Sequence, residues 1–499
     1  MTSPTVAPSR PLGSAAAWFA AALALYLATG ARGLIWADSS KLTLYALKGY
    51  LPSLNPGDHA GWVALAWAWL RLWGGDPVVA AHRLSAFSGA ALVALAYLFA
   101  LRDQRDAGRA HTTAAILMVA LPVWWASTVA ETYATAMALA LAGAVVAQGG
   151  SGWRRSVAAG GLWGLALATH ALVGFLVVPL AWETLRRRAW RTLPGVAAGL
   201  APVWLAAGGA PLDPLTGFAA GGAFTWEWHL ESFVAFARAP QEAVLEVGLL
   251  LLGLGPLGVA ALVRGRAGGR SCAAWAIGLG GCAVLLLGYA PYRLHLMVGF
   301  VLVGLLLATP GRLARSWRAG HVVVQAAIYL VAPALLTAAG HAGLGVRALP
   351  FRDNAFYFLC PVKSVAAPAA REAAPLARLR TALDPGAGRY LAAIERCAPD
   401  GAVVLADFNP GAVLRLAQAA RGWRRDLEVR PVVVDVAQAA VDPGAALAAV
   451  ARSLSRARPV VLADSYEPYY HLAAFGPGLV AVRCEAGVRL LPRVPPPER

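Results

Sequence analysis

Acidic and imidazole side chains are scarce in this sequence, and they are the residues whose types and positions could do chemistry. Asp38 lies in the short polar segment 36–41, directly after an apolar stretch, and Lys41 follows three residues later. Aspartate is a favoured N-cap, so Asp38 could simply begin the helix that the next residues predict. It could also have a catalytic role, since a carboxylate can transfer protons in a reaction. The two roles are compatible because a capping carboxylate keeps a second oxygen for a substrate.

Glu131 is the second candidate acid, and it follows the aromatic pair Trp124 and Trp125. In one interpretation Glu131 is solvated at a membrane surface, where the tryptophans anchor neighbouring helices. In the other interpretation it lines a polar cavity together with these rings. Glu227 and His229 alternate with tryptophans further along the chain. That pattern predicts an amphipathic loop helix, which either lies at the interface as an anchor or hydrogen-bonds a ligand.

The composition indicates which elements must position these residues. Of 499 residues, 59% are hydrophobic and only 14% are charged, and the mean hydropathy is +0.58. Soluble domains average about 45–50% apolar and about 25% charged residues, so an ordinary soluble enzyme and a disordered chain are both excluded. The formal charge of +17 includes many arginines between apolar stretches. This arrangement indicates membrane topology and no nucleic-acid partner.

Apolar segments of spanning length recur from residue 14 to about residue 342. They predict an α-helical polytopic membrane domain, residues 1–345, with about eleven transmembrane helices. Arginine clusters mark the inner face and place the N-terminus inside. The run 61–73 is too short to span and predicts an interfacial helix within a first outer loop over 35–78. The predicted spans lie near 14–34, 79–101, 110–127, 133–149, 156–184 (a two-helix hairpin), 192–209, 243–263, 272–290, 293–309 and 320–342.

The hairpin over 156–184 is short, with about 14 residues or about 21 Å of helix in each arm, against about 30 Å of hydrocarbon. Its tip, His170, should therefore lie below the outer surface. There it could bind a substrate or an ion, or be satisfied by a backbone carbonyl. Most acids and histidines of the membrane domain fall on the predicted outer side. Their position predicts one polar cavity that opens outward. The set is Asp38, Asp58, His59, His82, Glu131, His170, Asp213, Glu227, His229, Glu231 and His295.

Residues 346–499 form a second predicted domain, outside the membrane. Strand-like segments at 402–406, 429–435, 459–463, 479–482 and 488–491 alternate with helix-like segments at 411–420 and 444–456. The alternation predicts a small extracytoplasmic α/β domain with a mainly parallel sheet. Its sequence contains no glycine-rich phosphate loop. The spacing of the five cysteines in the whole chain indicates neither a zinc site nor a disulfide.

An ordered series of short motifs resembles the protein O-mannosyltransferase-like family of bacterial membrane proteins. That family belongs to the C-type superfamily of polyprenyl-phosphate-sugar-dependent glycosyltransferases. The resemblance covers most of the chain, including the tail around residues 352–357, 398–404 and 424–426. The motifs that carry it in the membrane domain are Asp38-Ser39, Pro56-Gly57-Asp58-His59, Arg83-Leu84-Ser85-Ala86, the segment 124–133 and the segment 164–170.

The resemblance implies an enzyme integral to the bacterial cytoplasmic membrane. It would move a sugar from a polyprenyl-phosphate donor to a hydroxyl of a protein or a glycolipid on the outer side. Asp38 would be the general base, and Glu131 would be a second catalytic group. Cationic or imidazole groups, or a divalent cation, would neutralise the leaving phosphate. The predicted substrate-binding residues, which include these groups, are Lys41, His59, Arg83, His170, Trp124, Trp125, Glu227, His229 and Arg293.

The chain departs from the family directly after the aspartate. The family typically has Ser-Gly-Glu there, whereas this chain has Ser39-Ser40-Lys41 and so lacks the second carboxylate. Asp58 could supply it, which makes Asp38 and Asp58 the candidate metal ligands. Two other functions stay open. A transporter or flippase would need inverted repeats, which are not evident, and a non-catalytic scaffold or sensor with a ligand-binding outer domain is favoured by the lysine.

Overall fold

The computed structural model describes residues 11–36, 38–51, 59–207, 240–264, 280, 291–308, 310–341, 387–432, 443–465, 470, 472–476 and 478–492. Within these residues, a helical region is followed by a small α/β domain. The predicted boundary at 346 and nearly all of the predicted span 272–290 lie outside the described residues.

The helical region follows the predicted apolar segments closely. Its helices are α1 Pro11–Thr29, α2 Asp38–Lys48, α3 Ala60–Trp73, α4 Pro77–Gln104, α5 Ala107–Val119, α6 Leu121–Ala126, α7 Thr132–Gln148, α8 Trp153–Thr169, α9 Gly174–Gly199, α10 Ala201–Ala207, α11 Pro240–Val263, α12 Pro291–Ala308 and α13 Arg315–His341. In the described part of the chain, two of them, α1 and α4, are long and apolar enough to cross a membrane. The count of about eleven spans stays a prediction.

In the described residues, three of the predicted spans, 110–127, 192–209 and 243–263, are not continuous single helices, and the last of them has a kink at Gly255 inside α11. The predicted span 110–127 consists of α5 and α6, which are separated at Ala120 in an extended conformation. Pro122 accounts for the break, because proline has no N–H with which to continue the hydrogen bonds of α5. Further on, α9 runs through a kink at Arg188 into the first residues of the predicted span 192–209. The second arm of the hairpin and the next predicted span are therefore connected without a loop.

α8 packs closely against the part of α9 that lies beyond the kink at Arg188, because the two helices meet at glycines. A Cβ atom added at Gly160 would collide with the carbonyl oxygen of Thr192, and one added at Gly195 would collide with that of Val157. Only glycine permits backbones to approach this closely. His170, at the tip of the predicted hairpin, is the C-cap of α8.

The C-terminal domain contains a five-stranded sheet in the order β2-β1-β3-β5-β4. Its strands are β1 Val403–Ala406, β2 Glu428–Pro431, β3 Val460–Leu462, β4 Leu479–Arg483 and β5 Val488–Pro492, and its helices are α14 Ala387–Cys397, α15 Phe408–Arg421 and α16 Pro443–Ser455. The central strand β1 is parallel to β2 and β3, as the alternation of strands and helices predicts. The pairs β3–β5 and β4–β5 are antiparallel, so the sheet is mixed.

Cys397 and Cys484 form a disulfide with a Cα–Cα distance of 5.8 Å. The spacing of the cysteines in the sequence does not indicate this pairing. The bridge joins the end of α14 to the turn between β4 and β5, and the adjacent pair Arg396 and Glu485 forms an ion pair of 2.6 Å beside it. Disulfides persist mainly in oxidising compartments.

The C-terminal domain packs directly on α2, α3 and the segments beside them. The ring of Tyr390 in α14 lies 4.9 Å from that of Trp36, just before α2. The guanidinium of Arg421, at the end of α15, pairs with Asp76 at 3.1 Å. Side chains of α2, α3 and the domain also belong to one continuous hydrophobic cluster. The domain therefore forms a cover over the segment that contains Asp38.

Replacing Cys484 by serine should destabilise the C-terminal domain selectively. The bridged cysteines are 87 residues apart, and removing a disulfide that closes a long loop costs about 2–4 kcal/mol. We expect calorimetry of the purified protein to show a lower unfolding temperature for this domain in Cys484→Ser. Cys360→Ser keeps both bridging sulfurs and is the matched control. Equal destabilisation by both substitutions would contradict the bridge.

Candidate functional site

The candidate site is built around a buried turn, residues 127–131, between α6 and α7. Because these residues are not helical, their peptide groups need partners from other elements. The ring of His82 supplies one: its Nδ1 accepts from the amide of Ala130 at 2.8 Å. Ser85, one turn further along α4, accepts from the amide of Glu131 at 3.1 Å and donates to its carbonyl at 3.2 Å. α4 therefore fixes the backbone of Glu131, whose side chain is buried.

The same turn holds the beginning of α2. The hydroxyl of Ser39 donates to the carbonyl of Ala130 at 3.0 Å, and the hydroxyl of Ser40 donates to the carbonyl of Ile35. Ser39 follows Asp38, the first residue of α2, and Ala130 precedes Glu131. The structure thus brings the two candidate acids to one junction, although 93 positions separate them in the sequence.

Lys41 is the immediate charge partner of Asp38. Its Nζ lies 3.3 Å from Oδ1 of Asp38, and the lysine side chain is 8% exposed whereas the aspartate side chain is 40% exposed. The same ammonium lies 5.4 Å from the ring centroid of Phe408, the first residue of α15. Lys41 is therefore enclosed between the aspartate and the C-terminal domain, and Asp38 is the member of the pair that faces outward.

His59 and His170 form a pair beside these charges. The ring centroids are 4.8 Å apart. Nδ1 of His59 donates to the carbonyl of Thr169 at 3.1 Å, and Nδ1 of His170 accepts from the amide of Leu172 at 3.2 Å. Burial, together with the positive charge of Lys41, lowers the pKa of His59 to about 4, so this ring is neutral at pH 7.

Aromatic rings surround His170 on the other side. Its ring centroid lies 4.8 Å from that of Tyr133 and 5.5 Å from that of Phe300 in α12. Tyr133 and Phe300 also contact each other, with ring centroids 5.9 Å apart. On one side the histidine pair is therefore near the charges of Asp38 and Lys41. On the other side it contacts the rings of Tyr133 in α7 and Phe300 in α12.

The tryptophan pair lies in the interior of the helical region. Trp124 and Trp125 are both 1% exposed, so they are not rings at a membrane surface. Nε1 of Trp124 donates to the hydroxyl of Thr29 at 2.9 Å, and its ring meets Tyr329 edge-on at 5.6 Å. The contacts described for Trp124 are those of a packed core residue that joins α1, α6 and α13.

Arg83 lies at a different surface from His82 and Ser85. It is exposed and lines a cleft of about 400 Å³ with Trp73, Asp76 and neighbouring residues. Its guanidinium lies 5.9 Å from the ring centroid of Trp73. The cleft is bounded by the turn between α3 and α4, beside the ion pair that joins Asp76 to the C-terminal domain.

The other predicted site residues cannot be placed with these groups. Asp58, Glu227 and His229 lie outside the described residues, as does the side chain of Arg293, whose backbone belongs to α12. The described residues contain no cluster of three or more His, Cys, Asp or Glu side chains that could hold a metal. The metal site at Asp38 and Asp58 stays a prediction.

Sequence reasoning does not identify His82, Ser39 and Ser85 as supports of the site. His82 uses both ring nitrogens, because Nε2 donates to the carbonyl of Gly33 at 2.9 Å while Nδ1 accepts from Ala130. The available signal is the spacing of His82 and Ser85, two polar residues one turn apart in an apolar span. Such residues are costly in a membrane helix unless they have partners.

No family model matches the chain, and no curated protein matches it. Among solved structures, the chain is similar to the crystal structure of ArnT from Cupriavidus metallidurans bound to undecaprenyl phosphate, with a TM-score of 0.52 and 16% sequence identity. The match covers 96% of this chain and 98% of ArnT. The two proteins therefore share a fold over nearly their whole lengths. The narrower resemblance to the protein O-mannosyltransferase-like family stays a prediction.

Ser85→Ala should destabilise the helical region, because it leaves the buried amide of Glu131 without its partner. An unsatisfied buried donor costs about 1–3 kcal/mol. We expect a lower unfolding temperature in detergent, measured by circular dichroism. Ser88→Ala is the control, since Ser88 bonds only the side chain of Thr135 among the contacts described for it, at 2.9 Å. If Ser85→Ala were no more destabilising than Ser88→Ala, Ser85 would not support the turn.

Proposed function

We propose that this chain is an integral membrane glycosyltransferase that uses a polyprenyl-phosphate-linked sugar as its donor. The fold shared with ArnT over nearly the whole of both chains supports the class of enzyme. The undecaprenyl phosphate bound in the ArnT crystal supports a polyprenyl phosphate as the lipid. The ordered motifs of the sequence favour the O-mannosyltransferase-like branch, with a protein or a glycolipid as acceptor.

The observation that carries the proposal is that Ser39, next to Asp38, bonds the carbonyl of Ala130, next to Glu131, while Lys41, the charge partner of Asp38, contacts Phe408 of the C-terminal domain. In the proposed reaction the acceptor oxygen attacks the anomeric carbon of the donor sugar. The bond from that carbon to the phosphate oxygen breaks, and the polyprenyl phosphate leaves with the bonding electrons. The acceptor proton passes to the carboxylate of Asp38, which is the more exposed member of its pair with Lys41.

Cationic groups near the membrane surface would neutralise the leaving phosphate. Lys41 has an ammonium beside Asp38, but that charge is already balanced by the carboxylate at 3.3 Å. Arg83 lines the cleft between α3 and α4 and is exposed. We assign the leaving phosphate to Lys41 and to Arg293, since Arg83 lies at a separate surface, and not to the neutral ring of His59.

The reaction is proposed to take place on the outer side of the membrane. The arginine clusters of the sequence favour this orientation, and the disulfide between Cys397 and Cys484 agrees with an oxidising compartment for the C-terminal domain. The α/β domain would then cover Asp38 from outside, and the lipid donor would arrive from the membrane.

A non-catalytic scaffold is the second candidate, and the ion pair between Lys41 and Asp38 is the observation that favours it. Where the resembling family has a second carboxylate, this chain has a lysine that partners the first. A scaffold would keep this pair for packing against Phe408 and would have no need of a free base.

Asp38→Asn should abolish transfer while leaving the fold intact, because asparagine caps a helix as well as aspartate does but cannot take up the proton. We expect incorporation of labelled sugar from a panel of polyprenyl-phosphate sugars into membranes to fall at least about 100-fold. Asp106→Asn is the matched control, since Asp106 caps α5 at a distance from the site. Equal incorporation by Asp38→Asn and the wild type would remove Asp38 from the mechanism, and no incorporation by either would favour the scaffold.

A further inference from the structure

The hydrogen bonds of His59 and His170 determine which ring nitrogens carry protons. The carbonyl of Thr169 can only accept, so Nδ1 of His59 must carry its proton. The amide of Leu172 can only donate, so Nδ1 of His170 must be unprotonated. A neutral imidazole has one N–H and one lone pair. Nε2 of His59 is therefore an acceptor, and Nε2 of His170 is a donor.

We propose that this pair binds one uncharged carbohydrate hydroxyl, which donates to Nε2 of His59 and accepts from Nε2–H of His170. The inference rests on the proposed glycosyl transfer and deepens it. A hydroxyl is the group that can donate and accept at the same atom, and the two histidines offer the complementary donor and acceptor. The pair thereby selects the sugar and leaves the phosphate to the cations.

The local fold holds the two rings in this arrangement. His59 adopts a left-handed conformation, with φ of 57°, directly before α3. Gly61 follows, and a Cβ atom there would lie 2.6 Å from the backbone nitrogen of Thr169. Glycine thus lets the first turn of α3 press against the end of α8, which brings His59 to the carbonyl of Thr169. A non-glycine conformation of this kind is uncommon and persists only where surrounding contacts impose it.

Charge and surface also favour a hydroxyl over a phosphate at this pair. A histidine whose Nδ1 accepts from an amide is not an imidazolium, so His170 supplies no positive charge. The rings of Tyr133 and Phe300 beside His170 offer apolar faces of the kind that pack against the C–H groups of a sugar. Among the residues that the structure describes, Asp38, the proposed base, and Lys41 are charged groups that act on His59.

Asparagine substitutions isolate the two Nε2 atoms. In His59→Asn the amide nitrogen can still donate to Thr169, and in His170→Asn the amide oxygen can still accept from Leu172. Both variants lose the ring atom that would contact the ligand. His111→Asn is the matched control, because His111 accepts from Trp18 through Nδ1 at 2.9 Å and lies in α5, away from the pair.

The test uses the full chain in lipid nanodiscs and measures dissociation constants for undecaprenyl phosphate with and without mannose, glucose or N-acetylglucosamine. We expect the wild type and His111→Asn to prefer one glycosylated lipid. Each variant of the pair should lose about tenfold of its preference for the glycosylated lipid over undecaprenyl phosphate, which is the contribution of roughly one hydrogen bond. The dissociation constant for undecaprenyl phosphate itself should not change. If the hydroxyl belongs to the acceptor, the lipid preference will persist and the acceptor KM will rise about tenfold instead.

Two results would overturn the inference. One is an equal loss of affinity for undecaprenyl phosphate and for the glycosylated lipid, which would place the rings at the phosphate. The other is no change in either the lipid preference or the acceptor KM. A third result would separate the two proposals. If the wild type prefers a glycosylated lipid but does not transfer its sugar, and the variants lose this preference, the proposed enzyme activity is contradicted and the hydroxyl site is supported.

Discussion

The site depends on one constraint, which is that the buried turn 127–131 must have its peptide groups satisfied. In a region of packed helices, a stretch without helical hydrogen bonds has no water to substitute for them. Side chains from α2 and α4 fill that requirement through Ser39, His82 and Ser85, and the amide of Ala31 donates to the carbonyl of Thr128 at 2.8 Å. Because these bonds come from elements far apart in the sequence, they align α1, α2, α4 and α7 at one place. Asp38 and Glu131 are brought together as a consequence.

The hydrogen-bond partners of each ring nitrogen distinguish structural histidines from those that can bind a ligand. His82 uses both of its ring nitrogens on backbone groups, so its capacity is exhausted. His59 and His170 each use only Nδ1 in the bonds described to the backbone, and these bonds set opposite tautomers. All three rings lie on the same predicted outer side. Their position in the membrane topology therefore does not distinguish them, whereas the partner of each nitrogen does.

The sequence predicts the features that depend on local periodicity. The strands of the C-terminal sheet lie within one or two residues of the predicted segments 402–406, 459–463 and 488–491 at their starts and ends, because alternating and helical hydrophobic patterns are properties of short windows. Features that depend on distant contacts are not predicted. The disulfide joins residues 87 apart. The ring partner of Lys41 is in another domain, and the segments of the two candidate acids are joined by the bond from Ser39 to Ala130.

Helix α2 is held from two sides, and this makes the environment of Asp38 a property of both domains. On the membrane side, Ser39 ties the helix to the turn at Ala130. On the other side, Lys41 contacts Phe408 while it balances Asp38. A displacement of α15 would therefore move the ammonium that lies closest to the carboxylate, and Coulomb energy between two such charges changes steeply near 3–4 Å. Lys41 thus couples the C-terminal domain to the charge at Asp38. An acid at position 41 could not make this coupling, because a carboxylate has no favourable contact with the face of the Phe408 ring.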